Sequence, residues 1–198
     1  MDSNTDNKAI ELISPVQNNK NLTKTSSRVK QDLPKYWDKE YINNRLESII
    51  DNKNKMLIRF LWMSGVRISE ALSLHKKDID FKNYVMRIKW LKNRKYNERI
   101  VPIHPKLKDI LEMYTAAMNL EDRIFPFTRQ RAWQITTLWL DGNPHKLRHS
   151  FAVNWLRCNG DLVTLHRILG HSKIQTTMEY LKIVPIDQGK ELIKINFD

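Results

Sequence analysis

Pro144-His145-Lys146-Leu147-Arg148-His149-Ser150-Phe151 (PHKLRHSF) sets four ionisable side chains within five residues, just after the turn residues Gly142 and Asn143 and just before an apolar run. Proline at the head of such a run predicts a helix that starts after Pro144 and closes near Gly160. Cations are disfavoured at the positive end of a helix dipole, so a merely solvated helix start accounts poorly for this cluster. The charge points to a chemistry that other parts of the chain complete.

Outward from this helix, apolar spacing predicts more helices. Upstream are Asp38 to Ile50, then Met56 to Met63 ended by Gly65, then the short amphipathic RISEALSL from Arg67. NYVMRIKWL and ERIVPI alternate and are rich in β-branched residues, as the two strands of a hairpin with KNRKYN at its tip would be. Helical spacing resumes in HPKLKDILEMYTAAM, RQRAWQITTLWL, DLVTLHRIL and IQTTMEYL, with a weaker segment from Gln188 to Ile195. The fold expected is mainly α with a small antiparallel β-sheet (α+β). Trp133, Trp139 and Trp155 recur at helical spacing and are read as core residues.

Residues 1–35 are polar, with one small apolar cluster, and read as a flexible arm; 36–198 is the folding domain, with a C-terminal tail from 181. The chain of 198 residues carries 34 Lys and Arg against 22 Asp and Glu, a net charge of +12. The arm holds six basic and four acidic residues, so the charge belongs to the domain. Such a balance favours a polyanion, with nucleic acid first and an anionic membrane surface second. The best apolar run is short and interrupted by Arg59, no basic-then-apolar leader is visible, and Cys158 is single, which together favour a cytoplasmic protein without a membrane span.

Cleaving a phosphodiester without a metal requires a nucleophile, fixed cations on the non-bridging oxygens and a proton donor for the leaving oxygen. Arginine suits the second task through its planar, permanently charged fork, and lysine the third because it can release a proton. Candidates stand in order along the chain: Arg67, Lys92, His145, Arg148, His171 and Tyr180. No cluster of His, Cys and carboxylates has metal-ligand spacing, so neither metal nor cofactor is expected.

That order, within SGVRISEALSL, ERIVPI, PHKLRHSFA and LGHSKIQTTMEYL, resembles the tyrosine recombinase (phage integrase) family from residue 36 to about 182. The resemblance implies that Tyr180 attacks a DNA phosphate, leaving a 3′-phosphotyrosyl bond and a free 5′-hydroxyl, so that rejoining needs no ATP. It implies that Arg67 and Arg148 clamp the non-bridging oxygens, that His171 adds a hydrogen bond there, and that His145 helps accept the tyrosine proton. Glu70, three residues after Arg67, matches a supporting acid. Lys92 matches the general acid through the phrase RIKWLKN, which also resembles the Fim-type inversion enzymes, with Lys95 and Lys89 as alternatives. His149, His104 and His166 have no role in the family pattern and are read as structural.

Residues 82–108 hold nine Lys or Arg and one acid, Glu98, a stripe suited to neutralising duplex phosphates, with Lys89, Arg94, Lys95 and Arg99 as DNA-binding candidates. The activity implied is site-specific DNA recombination on double-stranded DNA, whether integration, excision, inversion or resolution, at the nucleoid. Alternatives are relaxation of supercoils in the manner of a type IB topoisomerase, and a catalytically silent DNA-binding regulator. The polar arm stands where most members have a helical core-binding domain, so the chain resembles a catalytic domain alone or a short recombinase of the Fim type. In the family the tail docks on a neighbouring protomer of a homo-tetramer assembled on paired sites; without DNA a monomer with the tail folded back is the alternative.

Overall fold

A computed structural model describes residues 33–92 and 95–184, with the side chains of 91–96 left aside. Expectations for the arm before residue 33, for Arg94 at the hairpin tip and for the tail after residue 184 fall outside the described residues. The fold is mainly α with a small antiparallel sheet: α1 (Lys39–Ser48), α2 (Asn52–Ser64), α3 (Ile68–Ser73), strands β1 (Ile79–Asp80), β2 (Val85–Lys92) and β3 (Lys95–Pro102), then α4 (Pro105–Thr115), α5 (Arg129–Leu140), α6 (Pro144–Arg157), α7 (Leu162–Leu169) and α8 (Ile174–Met178), which runs into a 3₁₀ turn, Glu179–Lys182.

The caps follow local chemistry. Asp51, Thr128, Asn143 and Asp161 each accept a backbone N–H in the first turn of α2, α5, α6 and α7 respectively. At α6 the Asn143 side chain takes the N–H groups of His145 and Lys146, which fixes where the cluster read from the sequence begins. Gly65 and Gly170 end α2 and α7 in the left-handed conformation, φ 64° and 62°.

The sheet has strand order β1-β2-β3, and β2 pairs with β3 in a register that runs from Val85 opposite Pro102 to Lys92 opposite Lys95. The hairpin connection is thus shorter than the KNRKYN tip expected, because the strand ladder continues through Lys95-Tyr96-Asn97. β1 went unread because two residues carry no alternation to detect. The first helix stops before Ile49, whose extended backbone turns Ile49 inward and Ile50 out to 92% exposure.

One core, including Leu57, Phe60, Leu61, Met86, Leu107, Phe125 and Leu147, sits among α2, α4, α5, α6 and one face of the sheet. Trp139 and Trp155 pack against it, whereas Trp133 is 51% exposed, so its helical spacing did not mark a core position. A smaller cluster of Ala152, Val153, Leu165, Leu169 and Tyr180 joins α6, α7 and the terminal 3₁₀ turn. Among the described residues no helix is long and apolar enough to cross a membrane.

Candidate active site

The C-terminal turn of α7 organises the site. Its last carbonyls lack intrahelical partners and carry the negative end of the helix dipole. Three arginines from distant parts of the chain meet them: Arg99 Nε donates to Ile168 O (3.0 Å), Arg148 Nη2 to Leu169 O (2.5 Å) and Arg67 Nη2 to Gly170 O (3.2 Å). Helix α7 therefore gathers cations that would otherwise repel one another.

Glu70 supplies the carboxylate. It accepts the Arg67 backbone N–H (2.8 Å) as N3 of α3, pairs with Arg67 Nη1 (3.0 Å), and is gripped by both Arg99 nitrogens at 2.8 Å. Burial alone would raise its pKa, but the bonds and charges of Arg99 and Arg67 outweigh this and hold the carboxyl below its ordinary value. Arg99 is 10% exposed and also lies over the Trp90 ring, so its guanidinium braces Glu70 and α7 from within.

Arg148 is 4% exposed, and its side chain reaches two carbonyls, Leu169 and, through Nη1 at 2.8 Å, Gly65. Among the described residues no carboxylate bonds it directly, and desolvation together with the charge of Arg67 lowers its pKa to about 10, still cationic at neutral pH. Gly65, which offers one of these carbonyls, has a left-handed φ and no room for a side chain, since a Cβ would lie 2.3 Å from Phe151 Cδ1. Two guanidiniums thus share one carboxylate while a third, Arg148, is held by carbonyls, an arrangement with positive charge to spare for an anion.

The histidines surround this charge. His145 is exposed, and desolvation followed by the charges of Arg148, Arg129 and Arg67 lowers its pKa. Desolvation, then Arg148 and Arg67, brings His171 to about 4, so it is neutral. Its Nδ1 lies 2.9 Å from Thr177 Oγ1, which also lies 3.1 Å from His166 Nδ1. Thr177 is fully buried, so its one hydroxyl proton belongs to one of these rings, and the other ring donates back to the oxygen. His166, read as structural, thereby touches the site through a shared hydroxyl.

Tyr180, at 2% exposure, packs beneath α6 and α7; burial raises its pKa and the charge of Arg148 partly offsets this. Its Oη lies 2.8 Å from Nδ1 of His149, a residue without a role in the sequence reading. The only signal in the sequence was helical phase: His149 stands four residues after His145 on the same face. Thr177 carried no signal at all.

The structure therefore brings Arg67, Glu70, His145, Arg148, His171 and Tyr180 into one cluster. Lys89 is elsewhere occupied, its Nζ 2.7 Å from the buried Asp78 carboxylate. Lys92 pairs with Lys95 at the end of the β2–β3 ladder, and the side chains of both lie outside the description. Among the described residues no three His, Cys, Asp or Glu side chains gather as metal ligands would.

Comparison with known proteins agrees with this architecture. The chain is 32% identical over 172 residues to the tyrosine recombinase XerA of Saccharolobus solfataricus, covering 84% of this chain and 58% of that protein's length. Its fold matches the catalytic domain of bacteriophage HP1 integrase with a TM-score of 0.64 at 23% identity, over 82% of this chain and 95% of that domain. A Tn1549 transposon integrase solved with circular-intermediate DNA matches with a TM-score of 0.64 at 17% identity, over 83% of this chain and 68% of that one. The phage integrase family model spans residues 38–185, from just before α1 to beyond Tyr180, and the chain belongs to that family.

Proposed function

We propose that this domain cleaves and rejoins double-stranded DNA at a specific site, with Tyr180 as nucleophile and a 3′-phosphotyrosyl intermediate. The observation that carries the reading is the cationic cluster beside the tyrosine: buried Arg148 held by two carbonyls, with Arg67 next to it and the Tyr180 hydroxyl within its electrostatic reach. A phosphodiester placed there would put its non-bridging oxygens on the two guanidiniums, where the charge that develops at phosphorus is stabilised in a water-poor setting. His171 would donate to the same oxygens through Nε2 if Thr177 donates to its Nδ1. Lys92 would protonate the leaving 5′ oxygen; Lys89 is tied to Asp78, which leaves Lys95 as the competitor. Supporting the choice of partner are the net charge of +12, the relative named as a tyrosine recombinase, and the structurally similar transposon integrase solved with DNA.

Arg99 serves this reading as the brace of Glu70 rather than as a phosphate ligand, since its guanidinium is already committed. Assembly as a homo-tetramer on paired sites belongs to the same proposal.

The test uses nicked duplexes with randomised arms, in which the short fragment that carries the new 5′-hydroxyl diffuses away after cleavage and leaves the covalent protein trapped. Adducts recovered and sequenced should converge on one motif and should vanish in Tyr180→Phe, which keeps its affinity for the selected duplex. Adduct formation by Tyr180→Phe at the wild-type level would overturn the reading. Relaxation of plasmids lacking the selected motif, as fast as of plasmids carrying it, would favour topoisomerase activity instead.

A further inference from the structure

Among the described residues His149 is the one side chain that bonds the Tyr180 hydroxyl, at 2.8 Å, with the rings 5.8 Å apart and inclined at 51°. Among the described residues no hydrogen bond joins the His145 ring to Tyr180, although His145 stands one turn earlier on α6. The direction of the bond follows from burial. Were Nδ1–H the donor, the phenolic proton of a 2% exposed tyrosine would lack an acceptor among the described residues, and a buried donor left unpaired is unfavourable. The hydroxyl therefore donates to Nδ1, and His149 carries its own proton on Nε2.

We propose that His149 is the base that receives the Tyr180 proton. The proposal rests on the reading of Tyr180 as nucleophile. As Tyr180 Oη bonds to phosphorus, its proton passes to His149 Nδ1; the P–O5′ bond breaks, and the departing 5′ oxygen takes a proton from the hairpin lysine ammonium. On rejoining, the 5′-hydroxyl returns its proton to that lysine and attacks phosphorus, while His149 gives its proton back to the departing tyrosine oxygen.

The surroundings suit a base that acts only on bound substrate. Charged and titratable groups facing the ring are Arg148 and His145 on its own helix, Tyr180 on the terminal turn and His171 beyond α7. Desolvation, then His145 and Arg148, brings His149 to about 4, so it is free to accept but draws no proton from tyrosine in the empty protein. A phosphate on Arg148 adds negative charge beside the ring and favours its protonated form, so the base strengthens as the substrate arrives.

The test measures single-turnover cleavage of the selected nicked duplex by the full chain and by His149→Phe and His149→Asn. Asparagine can still accept the hydroxyl bond near the Nδ1 position but cannot take a proton. Both variants should bind the duplex as the wild type does and cleave it about 10²–10⁴-fold more slowly, the range of general-base catalysis. Their rates should climb with pH as solvent removes the proton, while the wild-type rate levels off once His149 in the complex is neutral. Recovery of the wild-type rate by asparagine would reduce His149 to holding Tyr180 in place, and faster cleavage by phenylalanine would make it a latch; either overturns the proposal alone. A measurement on the wild type needs no variant: ¹⁵N NMR should find His149 neutral with its proton on Nε2, and the Nδ1–H tautomer would refute the assignment. A wild type that forms no Tyr180-dependent adduct overturns the nucleophile reading and this base with it.

Discussion

Arg99 Nη1 and Nη2 meet Glu70 Oε1 and Oε2 at 2.8 Å each, a parallel two-bond pair between a strand and a helix 29 residues apart in sequence. The same carboxylate holds Arg67, so the geometry of that half-exposed arginine depends on a residue that itself faces inward.

Glu70→Gln should therefore be costly. It keeps the shape but leaves two guanidiniums without their counter-charge; breaking a buried pair costs about 3–5 kcal/mol, readable by urea denaturation. In the wild type the folded-state pKa of Glu70 lies below its ordinary 4.5, so its contribution is full above that value and is lost as pH falls through the lower folded one. The variant should lack this acid-dependent loss.

Arg148→Lys tests the fork. One ammonium cannot reach both Gly65 O and Leu169 O and still face a phosphate. Cleavage should drop about 100-fold or more while DNA affinity changes little, because the charge persists but the paired donors do not. Filter binding and single-turnover cleavage measured side by side separate the two.

Thr177→Val probes the shared hydroxyl. Loss of the proton that Thr177 supplies frees the tautomers of His166 and His171, and cleavage should slow by about 10-fold, the worth of one hydrogen bond. The ¹⁵N shifts of both rings should change together; a shift confined to one of them would show that the hydroxyl does not couple the pair.

The hairpin lysines can be told apart chemically. A duplex with sulfur in place of the bridging 5′ oxygen has a leaving group that needs no proton, so it rescues a variant that lacks the general acid. Lys92→Ala should be slow on ordinary DNA and near normal on the sulfur duplex, and Lys95→Ala should show no such rescue. The reverse result moves the general acid to Lys95.

Mild acid should also weaken the fold. His149 and His171 fall from 6.5 to about 4, so between those values the unfolded chain binds protons that the folded one does not, and stability declines as pH drops through that window. Thermal melts from pH 7 to pH 4 should show the decline, and His149→Phe should show a shallower one.

Much of this was legible in the sequence because it is local or periodic. The 3.6-residue spacing of apolar side chains marked α2, α4 and α6, the alternation of NYVMRIKWL marked a strand, and Gly65 marked the end of α2. The motif order from Arg67 to Tyr180 marked the family, and of its residues Arg67, His145, Arg148, His171 and Tyr180 lie close together, while the Lys92 side chain is outside the description. Only the tertiary structure could show that Ile168, Leu169 and Gly170 each offer a carbonyl to an arginine, since backbone oxygens leave no trace in residue identity. It alone turned Arg99 from a member of a basic stripe into the brace of Glu70, because composition counts charges without showing which are already paired. The partner of Tyr180 was hidden for the same reason: His149 and Tyr180 lie 31 residues apart, and which ring nitrogen meets the hydroxyl is decided by how α6 packs against the terminal turn.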